Sequence, residues 1–296
     1  MVLPNDALPG CPALCRFKDP RGEPHLGWWD GDDVADLTAT GQPIFASMSA
    51  LLAHGESFAD LARDVALAAP RSALESLTLL APMDGQEIWA AGVTYERSRE
   101  ARMSESEAAA DMYWRVYDAE RPELFFKADG RRTRGPGEAI RVRYDSRWTV
   151  PEPELTLVLT SALRIAGFTI GNDVSARDIE GANPLYLPQA KLFEGSAALG
   201  PWIVPVESIA DPYALKIRCS ILRNSVEIWR DTTTTGKLHR RLDELVSYLG
   251  RANSFPAGAF LMSGTCLVPP DTLSLKSGDA VEIAIDGLGM LRNVVA

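Results

Sequence analysis

Residues 151–173 read PEPELTLVLTSALRIAGFTIGND. Two runs of apolar and β-branched residues, TLVLT from Thr156 and LRIAGFTIG from Leu163, flank a turn at Ser161, and this spacing predicts a β-hairpin. Pro151 and Pro153 hold the chain extended where it enters the first strand. In an extended segment Glu152 and Glu154 project from one face, about 6–7 Å apart along the chain. Taken alone, alternating acids are the ordinary solvated side of a strand. The hairpin changes that reading, because the returning strand ends in Gly171-Asn172-Asp173 and brings a third carboxylate back towards the first two. Three converging carboxylates repel one another and lose hydration, and a hard divalent cation relieves both costs. Oxygen donors without an accompanying His or Cys point to Mg2+ or Mn2+ and away from Zn2+.

Further along, Lys191 stands in QAKLFEG among apolar and small residues. It reads either as a surface lysine with a buried stem or as a general base beside a metal. Short strand-like runs follow at 198–206, 214–222, 260–262, 280–285 and 290–295, with a convincing helix only at 238–248. Helices are too few for a doubly wound parallel sheet. In the other direction, apolar positions at helical spacing predict a helix over 45–69, closed by Pro70, and an extended connection over 74–83. Residues 98–121 read as a half-exposed helix. The expected class is α+β, mostly β, with a small N-terminal α/β domain at 1–80 and a catalytic domain at 81–296. There is no G-x-G-x-x-G and no Walker sequence.

The 296 residues carry 30 Lys plus Arg against 40 Asp plus Glu, a formal charge of −10, which argues against nucleic acid and anionic membrane surfaces as partners. At 46% hydrophobic and 24% charged, the composition is that of a soluble globular protein. Four cysteines, Cys11, Cys15, Cys219 and Cys266, are too sparse for a disulfide scaffold and suit a reducing compartment. The N-terminus has neither a cationic start nor an apolar stretch, and no run of 18 apolar residues occurs, so a cytoplasmic location is expected. Thr232 to Thr235 read as plain β structure with hydroxyls that could meet a carboxylate, Arg177 and Asp178 as a structural ion pair, and Trp28 and Trp29 as core or interface.

The run PEPEL, then AGFTIGNDVSARD, Lys191, ALGPWIVP, LMSGT and the closing LKSGDAVEIAIDGLGMLRN resembles, in order and spacing, the fumarylacetoacetate hydrolase superfamily over roughly residues 86–296. The resemblance implies a mixed β-sandwich roll that holds Mg2+ through Glu152, Glu154 and Asp173, with Lys191 as the active-site lysine and Thr265 as a substrate contact. It also implies a homo-oligomer, a dimer or tetramer. Hydrolase and decarboxylase members carry N-Y-x-x-H-x-x-E near the start of this domain. Here Gly92 to Ala101 read GVTYERSREA: Tyr95 matches, Ser98 replaces the histidine and Ala101 the glutamate. None of the three histidines, His25, His54 and His239, lies near these motifs in sequence. Histidine-activated hydrolysis of an acylpyruvate, or decarboxylation of oxaloacetate, is therefore the secondary expectation.

Within the superfamily, GVTYERSREAR, ERPELFFKA and GNDVSARDIEGANPLYLPQAK are similar to the 2-keto-3-deoxypentonate dehydratases. That similarity implies a 2-keto acid substrate, a catalytic role for Glu123, and Tyr95 and Ser98 as substrate contacts.

Overall fold

The computed structural model describes residues 7–55, 57–96 and 115–296. The hairpin at 151–173 forms from strands Pro153–Leu159 and Ile165–Asp173, paired antiparallel with Leu155 opposite Ile170 and Glu154 opposite Gly171. It lies in the middle of a 13-stranded sheet. On one side Ala259–Met262 pairs antiparallel with the first hairpin strand, then Glu87–Gly92 parallel with Ala259–Met262, and Glu123–Ala128 closes that end antiparallel. On the other side Ile165–Asp173 meets Trp202–Pro205, which pairs with Ala13–Lys18. The N-terminal strands Ala13–Lys18, Pro24–Trp29 and Asp33–Asp36, absent from the sequence reading, thus extend the same sheet across residue 80. A second sheet of five strands, built mainly from Lys216–Arg223, Val226–Thr234, Ala280–Ile285 and Gly289–Val295, packs against the first.

Alternation along the central strand explains why every residue of Pro153–Leu159 is buried. Leu155, Leu157 and Leu159 point into the core shared with Ile217, Ile221, Val281, Ile283 and Ile285 of the five-stranded sheet. Val158 points the other way, with Phe260 and Met262, into a second core formed by Met48, Leu51, Leu52, Phe58 and Ala62 of the N-terminal helices. A strand covered on both faces reads as a continuous apolar run. Trp28 and Trp29 divide between these two cores.

The helix expected over 45–69 is two helices, Met48–Ala53 and Ala59–Ala66. The break falls at Gly55, whose φ of 81° is the left-handed conformation that ends a helix. The extended connection at 74–83 forms a 3-10 turn at Leu74–Ser76 and the short strand Thr78–Leu79, which pairs with Ala13–Lys18. Most of the helix expected at 98–121 lies outside the described residues. The late helix runs Leu242–Leu249, starting after Arg241, which is extended. No helix among the described residues is long and apolar enough to cross a membrane.

Candidate metal centre and active site

The register of the hairpin builds the site. Pro153 pairs with Asn172 and, beyond them, Val150 with Ser175, so Glu152 faces Asp173 directly across the two strands. The Asp173 N–H donates to the Glu152 carbonyl at 2.9 Å, and the Glu152 N–H donates to Asn172 Oδ1 at 3.2 Å. Glu154, two residues on, shares the face of Glu152. The three buried carboxylates each offer an oxygen, all within 4.8 Å of one another.

Their partners differ. Lys191, at the end of the short helix Leu187–Lys191, is 2% exposed, which removes the reading of a surface lysine. Its Nζ donates to Glu152 Oε2 at 2.7 Å, Asp173 Oδ2 at 2.9 Å and Ser175 Oγ at 2.6 Å. Arg177, read from sequence as half of an ion pair with Asp178, brings its guanidinium 3.4 Å from Glu152 Oε1, while Asp178 accepts from Ser146 Oγ and the Arg147 N–H. Among the described residues Glu154 has no cation at ion-pair distance; one oxygen accepts from the Gly264 N–H at 2.5 Å. Burial, followed by the charges of Asp173 and Glu152, holds its carboxyl well above the ordinary 4.5. Gly264 has φ +95°, and a Cβ there would lie 1.9 Å from Thr94 Oγ1, so glycine alone lets this N–H face the carboxylate.

The carboxylates border a cavity of about 20 Å3, room for one water-sized body. Glu123, Phe125, Glu180, Lys191 and Thr265 complete much of its wall. A larger surface groove of about 430 Å3, beside Leu163, Asp243 and Arg251, shares no residue with it. The donor set suits a small hard cation: three carboxylate oxygens at one ion-sized cavity, one of them on a carboxyl that burial and its acidic neighbours hold above the ordinary range. Glu152, Glu154 and Asp173 are the residues that could hold it.

Glu123 reaches the opposite wall from strand Glu123–Ala128, where it pairs with Gly92. Its carboxylate lies across that glycine, since a Cβ at residue 92 would be 2.1 Å from Glu123 Oε2. Thr265 borders the cavity, and its Oγ1 accepts the Leu267 N–H. Tyr95 is not among the residues that border the cavity: it is 1% exposed, its hydroxyl has no hydrogen-bond partner among the described residues, and burial, with Cys266 and Glu154 nearby, pushes its phenol well above the usual range. Ser98 lies outside the described residues. The threonine run stays away from the cavity; Thr233 Oγ1 meets Cys266 Sγ at 2.8 Å and Thr235 bonds Leu215.

Sequence reasoning missed Glu180, Lys127 and the Gly264 N–H. A signal existed for Glu180: Arg177 and Glu180, three apart on helix Arg177–Ala182, form one buried face.

The chain is 51% identical over 214 residues to a probable 2-keto-3-deoxyxylonate dehydratase of Haloferax volcanii, covering 72% of this chain and 73% of the relative. It is 46% identical over 222 residues to a 2-dehydro-3-deoxy-D-arabinonate dehydratase of Saccharolobus solfataricus, covering 74% of each. A solved 2-keto-3-deoxy-D-arabinonate dehydratase complexed with magnesium and 2,5-dioxopentanoate superposes with a TM-score of 0.80 at 35% identity, over 95% of this chain and 98% of that one. The model of the fumarylacetoacetate (FAA) hydrolase C-terminal region matches residues 87–296. The chain belongs to the fumarylacetoacetate hydrolase family.

Proposed function

We propose that this protein is a Mg2+-dependent hydro-lyase that converts a 2-keto-3-deoxy-pentonate, of the arabinonate or xylonate series, to 2,5-dioxopentanoate. The observation that carries the reading is one ion-sized cavity bordered by Glu152, Glu154 and Asp173, with Lys191 and Glu123 both on its wall. When bound there, Mg2+ supplies Lewis-acid polarisation of the substrate's keto group, which makes the C3 protons acidic. Lys191 Nζ receives one C3 proton, and Glu123 gives a proton to the leaving C4 hydroxyl. The C3–H and C4–O bonds break, a C3=C4 double bond forms, and water departs. A C5 proton then moves to C3, giving the C4=C5 enol, and the enol hydroxyl's proton moves to C4, leaving C5 as the aldehyde, so no oxidant is consumed. Thr265 and, from the family resemblance, Ser98 contact the substrate.

We further propose that the enzyme works in the cytoplasm as a homo-oligomer. None of its four cysteines is in a disulfide, which suits a reducing compartment, and Tyr144, Leu185 and Val226 are large exposed apolar groups that a second copy would cover. The division at residue 80 is kept as a functional one, since the cavity-bordering residues begin at Ala91.

The test is a substrate panel with purified protein and Mg2+: both 2-keto-3-deoxy-pentonates, an acylpyruvate and oxaloacetate, with products identified by mass. Loss of one water from a pentonate, abolished by EDTA, is expected. Cleavage of the acylpyruvate or release of CO2, with the pentonates untouched, overturns the assignment.

A further inference from the structure

Lys127 sits on the strand Glu123–Ala128 with no exposure at all, and it borders neither the cavity nor any surface. Its ammonium donates to the Lys191 carbonyl at 2.6 Å and the Val174 carbonyl at 3.0 Å, and it lies 2.5 Å from Asp173 Oδ1. An ammonium has three N–H donors, and three acceptors converge on this one. The head group is held at these acceptors and, unlike that of Lys191, has no place on the cavity wall.

Those three acceptors belong to the parts the proposed chemistry must keep aligned. Asp173 uses Oδ1 for Lys127 and Oδ2 for Lys191, so the bond to Lys127 decides how the carboxylate is turned towards Lys191. The Lys191 carbonyl ends the helix that carries the candidate base, and the Val174 carbonyl belongs to the residue after Asp173. Glu123 stands four residues before Lys127 on the same strand, whose pairing with Glu87–Gly92 bulges between Phe126 and Ala128. Metal-binding carboxylates and catalytic groups depend on such outer partners for orientation.

We propose that Lys127 is a positioning residue: it sets the orientation of Asp173 and the seat of Lys191, and holds both in register with Glu123. This rests on the dehydratase reading for its kinetic consequence but not for its effect on the metal site.

The experiment measures the Mg2+ midpoint from melting temperature across a Mg2+ titration, together with kcat and KM, for wild type, Lys127→Met and Leu245→Ala. Leu245 is equally buried and remote from the cavity, so its variant reports what simple loosening of the fold does. Loss of orientation weakens cation binding, whereas loss of a positive charge alone tightens it. The expected result for Lys127→Met is a Mg2+ midpoint about 10–100-fold higher and a kcat lowered by a similar factor, with the midpoint of Leu245→Ala unchanged. An unchanged or lowered midpoint in Lys127→Met, or an equal rise in Leu245→Ala, overturns the positioning role. Should Lys127→Met fail to fold, Lys127→Gln, which keeps an amide donor, is read by the same criteria. Wild type that binds Mg2+ but dehydrates no pentonate would sink the dehydratase reading and leave the midpoint comparison standing.

Discussion

The central strand Pro153–Leu159 is two different objects along its length. From Leu155 onward its residues alternate between two apolar cores, Leu155, Leu157 and Leu159 under the five-stranded sheet and Val158 under the N-terminal helices. At its start, Glu152 and Glu154 face Asp173, Lys191 and the cavity. The apolar half contributes the burial but specifies register weakly, because both faces are apolar and a slip by one residue exchanges like for like. The acidic end is intolerant of such a slip. Moving Glu152 off Asp173 breaks the Asn172 and Lys191 bonds and turns a carboxylate into hydrocarbon, at a cost of several kcal/mol. Stability and register are thus supplied by neighbouring stretches of one strand, and the chemistry sits where the register is tightest.

Substitutions can break this division or sharpen it. The largest effect is expected from Lys191→Ala: kcat lower by about 10²–10⁴-fold, as for removal of a general base, in a protein that remains folded by circular dichroism. Near-normal turnover would show that Lys191 is not the base. Next comes Leu157→Ala in the apolar half, which should cost about 2–5 kcal/mol in denaturant unfolding, by lost burial and a residual cavity, while the Mg2+ response of the folded protein persists. If that variant, still folded, no longer responded to Mg2+, the two halves would not be separable. Smaller again is the effect of the metal itself. At about 100 times its dissociation constant, Mg2+ should add about 2.7 kcal/mol of stability by mass action, reversed by EDTA. A melting temperature indifferent to both would rule out a native-state metal site.

The same division explains what could be read from the sequence. The hairpin was legible because two apolar, β-branched runs, a turn at Ser161 and two prolines all signal extended chain, and a hairpin must return its end to its beginning, which placed Asp173 near Glu152. Lys191 was located but left between two readings, since only the packing of helix Leu187–Lys191 shows that its ammonium is buried on the carboxylates. The N-terminal strands were missed: Ala13–Lys18 belongs to this sheet through pairing with Trp202–Pro205, almost 190 residues away, and local pattern carries no trace of such a partner. Lys127 and Gly264 were missed for a similar reason. A lysine in a strand ordinarily points to water, and a backbone N–H has no signature in composition; both act here through contacts made only when distant segments meet.

The smallest effect, and the most discriminating for the acidic end, is the pH dependence of the metal-free protein. Glu154 is held above the ordinary carboxylate range by burial and by Asp173 and Glu152. Below about pH 4.5, the ordinary value, folded and unfolded chains both carry the proton and Glu154 adds no pH dependence. As pH rises past that value the unfolded chain releases the proton while the folded chain keeps it, so stability falls until the folded group also ionises. A neutral amide at this position has no such linkage. In EDTA, Glu154→Gln should therefore lose less stability than wild type as pH rises above about 4.5. With Mg2+ present the order reverses, because wild type gains from the cation and the variant lacks one of three carboxylates to hold it. Parallel pH profiles in EDTA would mean that Glu154 is already ionised in the folded protein without a metal, and that the cations of Lys191, Lys127 and Arg177 suffice for all three acids.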